Sequence, residues 1–180
     1  MITRVVLATD RGEIHIDADE GRAPLSAGDF LRYVRDGSYA GGLFQRAVTP
    51  QNDNGDPVIE IVQAAIAEGA LPREPLDHES TEQSGIAHTE GVVSLPRGRL
   101  GTGTAASFFI CVADSPGLDF GGTRVADGAG FAAFGKVVDG MDVVREIHRA
   151  PTLPDAPVEY LRGQLLADPV EIRAVHIVNY

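Results

Sequence analysis

Residues 131–144, Phe-Ala-Ala-Phe-Gly-Lys-Val-Val-Asp-Gly-Met-Asp-Val-Val, read as a strand followed by the start of a short helix. Aromatic and β-branched residues dominate Phe131–Val138, which is typical of a strand. The helix is predicted over Met141–Arg149, where apolar residues recur at helical spacing. These inward-facing residues are Val143, Val144 and Ile147. A strand joined directly to an amphipathic helix indicates a sheet with a helix packed against it.

Alternating polar and apolar residues predict further strands on both sides of this segment. Val5–Leu7 and Glu13–Asp17 flank the turn formers Asp10-Arg11-Gly12 and are expected to form a hairpin. A second helix begins at Pro24, places one apolar stripe against the sheet and ends at Gly37. The remaining strands are predicted at residues 43–48, 58–63, 91–95, 107–112 and 170–178, the last with a bulge near residues 174–175.

The order of these elements predicts a mainly β fold. The strands follow one another at hairpin length and do not alternate with helices, so antiparallel pairing is expected. About eight strands that share one core would close into a barrel most economically, because closure removes exposed strand edges. We therefore expect a single domain over residues 1–180, a closed antiparallel eight-stranded β-barrel capped by two α-helices.

Composition restricts the classes of partner. The chain has 180 residues, is 43% hydrophobic and carries a formal net charge of −11 with a pI near 4.7. Such acidity argues against nucleic acid and against anionic membranes, both of which select basic surfaces. Partners are expected to be neutral, basic or unfolded chains. Cys111 is the single cysteine, so no intramolecular disulfide can form, and its apolar neighbours predict a buried, inert thiol.

The N-terminus carries no recognisable export signal. Residues 1–10 contain no long apolar run and no small-residue cleavage site, and no stretch of the chain is long and apolar enough to span a bilayer. We expect a cytoplasmic protein, or a periplasmic one if an upstream signal has been removed.

Arg46 is the most informative charged residue, because it interrupts the apolar strand at residues 43–48. Ideal alternation would place its side chain on the same face as Phe44 and Val48. A full charge does not lie unpaired in an apolar core. Arg46 is therefore expected at a rim or in a shallow apolar groove where a ligand completes its hydrogen bonding; the alternative is an arginine on a solvated strand face.

Three other motifs match known kinds of site only in part. Residues 101–106 match the dinucleotide pattern G-x-G-x-x-A, but the strand that follows cannot supply the helix N-terminus that holds a pyrophosphate. His78 and His88 have no recognised metal-ligand spacing. Ser107 lacks the nucleophile elbow of serine hydrolases. We therefore predict no metal and no cofactor; a nucleotide-binding enzyme is the third hypothesis, and serine hydrolysis is weaker still.

One combination of residues resembles a known family. Phe44-x-Arg46, Gln63, Ser107-x-Phe109-Ile110 and Leu118-Asp119 precede the strand–helix segment at residues 131–144. In that order and at these intervals the chain resembles the cyclophilins, a family of peptidyl-prolyl isomerases, and looks like a compact bacterial member. The resemblance extends from Gly12 to the helix at Met141. It implies an enzyme that accelerates rotation about X-Pro bonds.

The resemblance also implies roles for individual residues. Arg46 corresponds to the catalytic arginine, and Gln63 to the glutamine that braces it and contacts the substrate backbone. The implied ligands are proline-containing peptides, unfolded chains and cyclic peptide inhibitors, and we expect a monomer. The residues expected to bind substrate are Phe44, Ile61, Pro96, Arg97, Ser107, Phe109, Leu118 and Phe131.

The chain departs from the family pattern at several positions of the implied site. Glu60 lies where a phenylalanine often lines the pocket, Pro96 removes a backbone donor from a strand edge, and Gly117 lies where some members have tryptophan. Ser107 replaces a glutamine or glutamate. These departures motivate an alternative, a proline-peptide-binding module of the same fold with weak or no catalysis.

Overall fold

The computed structural model describes residues 1–179. It contains eight strands, three α-helices and two 3-10 turns. In chain order these are β1 (Ile2–Thr9), β2 (Gly12–Asp19), α1 (Pro24–Arg35), β3 (Leu43–Val48), β4 (Ile61–Ala65), α2 (Thr81–Ser84), β5 (Val92–Leu95), β6 (Ser107–Cys111), the 3-10 turn Pro116–Leu118, β7 (Ala132–Asp139), α3 (Met141–His148), the 3-10 turn Glu159–Leu161 and β8 (Leu165–Ile177).

The eight strands form a closed antiparallel barrel in the order β1-β2-β7-β5-β6-β4-β3-β8. The predicted hairpin is present, with Val6 paired to His15. β8 closes the barrel by pairing with β1 on one side and β3 on the other. Each of the eight described strands is thereby paired on both sides, which removes the exposed edges of an open sheet. The prediction of an eight-stranded antiparallel barrel is confirmed.

Helix α1 fills one end of the barrel. Pro24 lies in its first turn, where a missing backbone N–H costs nothing, and Gly37 follows it with a left-handed φ of 70°. The Phe30 ring lies 5.1 Å from the Phe134 ring and 5.7 Å from the Phe108 ring between centroids. These aromatic contacts join the helix to the inner faces of β6 and β7.

Helix α3 covers the opposite end. It lies beside Gly12, where β2 begins, whereas α1 follows Asp19, where β2 ends. Gly140 precedes α3 with φ of 91°, and a side chain there would overlap the backbone of Glu13. Val144 and Ile147 are buried in the same core as α1. The two predicted capping helices are therefore both present.

Some element boundaries differ from the sequence prediction. β4 begins at Ile61 and not at residue 58, because the amide of Ile59 donates to the carboxylate of Asp53 and not to a neighbouring strand. β8 begins at Leu165, earlier than expected, since the turn formers Asp168 and Pro169 interrupt its apolar pattern. The bulge predicted near Ala174 is present opposite Ala8 and Thr9 of β1.

One helix was missed. No element is predicted between the strands at residues 58–63 and 91–95, but α2 forms there, stabilised by a capping box between Ser80 and Gln83. A helix of one turn has no periodicity for sequence analysis to detect. None of the helices in residues 1–179 is long and apolar enough to cross a membrane.

Phe30→Ala is expected to lower the free energy of unfolding by about 3–5 kcal/mol, because it removes a fully buried ring that contacts aromatic side chains. Urea denaturation monitored by circular dichroism would measure the change. Leu25→Ala on the same helix is the control: Leu25 is 46% exposed, so a change within about 0.5 kcal/mol is expected. Equal effects of the two substitutions would contradict this account of the core.

Candidate active site

A β-bulge in β3 places Arg46 on the outside of the barrel. Phe44 pairs with Ala64 of β4, but Arg46 pairs with Gln63. A step of two residues along β3 therefore corresponds to a step of only one residue along β4, which is a bulge. Phe44 is fully buried in the barrel core against Phe108. The expectation that Phe44 shares a face with Arg46 is therefore wrong, and Phe44 cannot contact a ligand beside Arg46.

Strand register aligns Arg46 with the other main candidates. Arg46 of β3 is paired with Gln63 of β4, and Gln63 is paired with Phe109 of β6. Directly paired residues project from the same face of a sheet. Three of the predicted site residues thus form one row across three neighbouring strands.

Two glutamine side chains hold the Arg46 guanidinium. Nη1 donates to Gln63 Oε1 at 2.8 Å, and Nε donates to Gln164 Oε1 at 2.9 Å. Within residues 1–179 no carboxylate lies within ion-pair distance of Arg46, and Nη2 has no hydrogen-bond partner. Burial lowers the pKa of Arg46, but an arginine side chain remains charged at neutral pH. The site therefore contains a half-buried cation that is held by neutral groups.

Gln164 was not identified from the sequence. It lies just before β8 and is 1% exposed. Its side chain meets Arg46 across 118 positions of sequence, and no motif links residues so far apart. Only the closure of the barrel by β8 brings it to the site.

Ser107 extends the hydrogen-bonded chain of Arg46 and Gln63. Gln63 Nε2 donates to Ser107 Oγ at 3.0 Å, and Ser107 Oγ donates to the backbone oxygen of Ala64 at 2.8 Å. The hydroxyl thereby orients the Gln63 amide so that its oxygen faces Arg46. Ser107 thus acts on Gln63, and it also lines the cavity beside Arg46.

Beside the polar side chains of Arg46, Gln63 and Ser107 lies a set of apolar residues on the outer face of β4 and β6. We call this set the outer apolar cluster. Ile61, Phe109 and Leu118 are each at most 3% exposed, and Phe131 packs against them half-buried. The structure therefore brings together four residues predicted to bind the proline. The cluster consists of Val48, Ile59, Ile61, Phe109, Cys111, Leu118 and Phe131.

Cys111 lies within the outer apolar cluster as a fully buried free thiol. Burial raises the pKa of this thiol to about 12, so it carries no charge at neutral pH. The prediction of a buried, inert cysteine is confirmed.

The Phe131 ring is held from two sides. It meets Phe109 edge to face at 5.7 Å between centroids, and the Arg97 guanidinium lies 5.4 Å from its centre. Arg97 donates to the backbone oxygen of Gly130 and forms a bidentate ion pair with Asp127. Its side chain is only 3% exposed. The Arg97 side chain therefore supports the wall of the cluster and is not directed at a substrate.

His88 supports the cluster from behind, stacked on Phe109 with 6.0 Å between ring centres. Its Nδ1 lies 2.7 Å from Asp119 Oδ1, and its Nε2 lies 2.8 Å from Ser94 Oγ. Although burial opposes the shift, the pKa of Asp119 is lowered because the side chain and amide of His88 bond its carboxylate. His88 and Ser94 are almost fully buried, so this network is structural.

An open cavity of about 570 Å³ lies next to Arg46. Its residues are mainly polar, and they include two of the positions that depart from the family pattern, Pro96 and Ser107. Tyr160, on the 3-10 turn before β8, also lines the cavity and is 62% exposed. The lining residues are Gln45, Arg46, Gln63, Pro96, Arg97, Gly98, Thr102, Thr104, Ala106, Ser107, Tyr160, Leu161 and Leu165.

Gly117 and Glu60, the other two residues that depart from the family pattern, lie against neighbouring parts of the structure. A side chain at Gly117 would overlap the ring of Pro57, so the loop that precedes β4 occupies the space a larger residue would need. That loop is anchored by a buried ion pair between Asp53 and Arg124. The Glu60 carboxylate lies 3.9 Å from His148 of α3.

Comparison with known proteins identifies the family. The family model described as cyclophilin type peptidyl-prolyl cis-trans isomerase/CLD matches residues 4–171. The chain belongs to the cyclophilin-type peptidyl-prolyl cis-trans isomerase family. This match confirms the resemblance found in the sequence. The glycine-rich residues 101–106 lead into strand β6, as predicted, and not into the helix that a nucleotide site would need.

Individual cyclophilin relatives agree with the family assignment. The chain is 32% identical over 171 residues to a peptidyl-prolyl cis-trans isomerase of Acinetobacter baylyi, covering 91% of this chain and 85% of that protein. It is 29% identical over 178 residues to peptidyl-prolyl cis-trans isomerase A of Dickeya dadantii, covering 98% and 85%. A crystal structure of a Cryptosporidium parvum cyclophilin superposes with a TM-score of 0.73 at 17% identity, covering 100% and 99%, which shows the shared fold.

Titration of the Asp127 carboxyl tests whether Arg97 is held in the position where it supports the Phe131 ring. The Arg97 side chain and the backbone amide of Ala129 lower the pKa of Asp127 from 3.8 to about 2. Because the folded-state pKa is depressed, the charged pair contributes stability above pH 3.8, and this contribution disappears as the pH falls toward 2. NMR titration of the Asp127 carboxyl carbon should show a midpoint near pH 2, and Arg97→Gln should move it toward 3.8.

Arg99→Gln is the control for that titration, because Arg99 is a nearby exposed arginine with no hydrogen bond or ion pair to Asp127. The Asp127 midpoint should be unchanged in this variant. An Asp127 midpoint near 3.8 in the unmodified protein would contradict the proposed support of Phe131.

Proposed function

We propose that the protein catalyses rotation about X-Pro bonds in peptides and unfolded chains, with Arg46 stabilising the twisted amide. The observation that carries this proposal is the Arg46 guanidinium, held by two neutral amides beside the outer apolar cluster. A donor whose charge and Nη2 have no partner within residues 1–179 suits a ligand that presents an acceptor but no negative charge. An amide nitrogen that has lost its resonance is such an acceptor.

The barrier to this rotation is electronic. The X-Pro amide resists twisting by roughly 18–20 kcal/mol, because rotation destroys the resonance between nitrogen and carbonyl. Midway through rotation the nitrogen becomes pyramidal and its lone pair can accept a hydrogen bond. No covalent bond forms or breaks, so an enzyme needs only to bind the twisted form more tightly than the planar one.

Arg46 would supply this differential binding. A charged donor that is already in place stabilises developing electron density without the reorganisation that water requires. Lowering the barrier by about 1.36 kcal/mol raises the rate tenfold. A hydrogen bond that stabilises the transition state by roughly 3–4 kcal/mol would therefore raise the rate about 100- to 1,000-fold. Gln63, braced by Ser107, would keep the donor aligned.

The outer apolar cluster would hold the proline ring. Phe131 is its half-buried member and packs against the buried residues of the cluster, which include Phe109 and Leu118. Anchoring one side of the bond lets the other side rotate against a fixed point. A crystal structure of the Cryptosporidium parvum cyclophilin in the presence of the dipeptide Ala-Pro supports a proline-containing ligand for this fold.

A second candidate function is a proline-peptide-binding module with weak catalysis. It is favoured by Pro96, which lines the cavity and lacks the backbone N–H that could pair with a substrate chain. The Arg97 side chain is likewise occupied by Asp127 and Gly130. Both observations reduce the donors available to the peptide backbone, but neither affects Arg46.

Arg46→Ala should lower the isomerisation rate of an X-Pro test peptide at least about tenfold, because it removes the donor to the amide nitrogen. A protease-coupled assay measures the rate, and thermal denaturation establishes that the variant is folded. Arg35→Ala, which removes an exposed arginine at the end of α1, is the matched control and should leave the rate unchanged. Activity equal to wild type in a folded Arg46→Ala protein would rule out the assigned role.

NMR exchange spectroscopy on a proline-containing peptide separates the two candidate functions. Catalysis predicts cross-peaks between the cis and trans forms of the peptide at sub-stoichiometric protein, because uncatalysed exchange takes tens of seconds or more. Shifts of the Phe131 and Phe109 resonances would report binding. Binding without accelerated exchange would favour the binding module.

A further inference from the structure

Gln164 is the second partner of the Arg46 guanidinium, and its contacts differ from those of Gln63. Gln63 lines the cavity, whereas Gln164 is not among the lining residues and is 1% exposed. It is buried just before β8, and its backbone oxygen accepts from Ala47, the neighbour of Arg46 in β3. A residue in that position can act on a substrate only through Arg46.

The two glutamines bond different edges of the guanidinium. Gln63 accepts from Nη1, and Gln164 accepts from Nε. Because the group is planar, bonds at two separate edges restrict rotation about the last bonds of the side chain. With Gln63 alone, the guanidinium could still pivot about a single hydrogen bond.

Gln164 is itself fixed at three points. Its Nε2 donates to the backbone oxygen of Asn52 at 3.1 Å, and its backbone oxygen accepts from the amide of Ala47 at 2.9 Å. Its own amide donates to Leu161. The Asn52 side chain also donates to Ala47 and Gly163. The acceptor for Arg46 Nε is therefore rigidly attached to β3, the strand that carries Arg46.

The neutrality of Gln164 matters for the chemistry. An aspartate or glutamate at this position would hold Arg46 equally well, but it would neutralise the charge that the transition state uses. An amide oxygen orients the donor and leaves the positive charge available. Gln63 is neutral for the same reason.

We infer that Gln164 is a positioning residue of the active site: it fixes the Arg46 guanidinium through Nε so that Nη2 faces the bound X-Pro bond. This inference rests on the proposed role of Arg46. It predicts that loss of the Gln164 acceptor slows the rotation step while peptide binding is retained.

The first test uses the unmodified protein. Exchange of the Arg46 Nε–H with water, followed by NMR, should be at least about tenfold slower than that of exposed Arg35, because a buried hydrogen bond protects the proton. Exchange as fast as that of Arg35 would overturn the inference without any variant being made. This measurement does not depend on catalysis, so it remains informative even if Arg46→Ala shows the proposed function to be wrong.

The second test is Gln164→Met, which keeps the length of the side chain and removes both the acceptor for Arg46 Nε and the donor to the Asn52 backbone oxygen. We expect fast exchange at Arg46 Nε–H and a rate of on-enzyme cis–trans exchange reduced about tenfold, the usual effect of losing a hydrogen bond to a charged group. Affinity for the peptide, measured by NMR titration, should stay within about twofold of wild type, since Gln164 does not line the cavity.

Asn54→Ala is the matched control. Asn54 donates to the backbone oxygens of Tyr160 and Arg162, so it stabilises the same segment without touching Arg46. This variant should resemble wild type in Nε–H exchange and in isomerisation rate. If it reproduced the effect of Gln164→Met, the effect would belong to the segment and the inference would be overturned. An unchanged isomerisation rate in Gln164→Met would overturn it equally.

Discussion

The bulge between Phe44 and Arg46 is the constraint on which the site depends. Strand alternation would send these side chains to the same face, and either face would be wrong for one of them. An aromatic ring outside the barrel would lose its packing, and a guanidinium inside would lose its solvation. The bulge resolves the conflict by letting Phe44 join the core while Arg46 reaches the outer surface. Bulges are frequently found next to active sites for this reason.

Hydrogen bonding on the outer surface then determines what the arginine can do. An arginine paired with a carboxylate is oriented but also neutralised. Among the described residues, Arg46 is oriented by Gln63 and Gln164 alone, so its position is defined and its charge is retained. Ser107 and the backbone of Asn52 hold the two glutamines in turn. The ion pairs near the site involve other arginines and serve to stabilise loops.

Those ion pairs explain how irregular loops can form part of a well-defined site. Arg97 binds Asp127 and supports Phe131, while Arg124 binds Asp53 and fixes the loop that precedes β4. The Asp53–Arg124 pair is buried on both sides and is shielded from competing water and salt, whereas in the other pair Arg97 is buried and the Asp127 carboxylate is 39% exposed. Loops between strands are usually mobile, but here polar contacts hold them against the barrel. The outer apolar cluster depends on these contacts because Phe131 lies at its edge.

The sequence by itself determined the strands, the two capping helices and the barrel, since these follow from local periodicity and from the need to bury apolar faces. It also identified the row of Arg46, Gln63 and Phe109 through the resemblance to cyclophilins. Only the tertiary structure showed that Phe44 faces inward, because a bulge depends on the register between strands. The contact between Arg46 and Gln164 could not be predicted either, because it joins residues 118 positions apart. Local pattern specifies elements, whereas the closing of the barrel decides which distant polar groups meet.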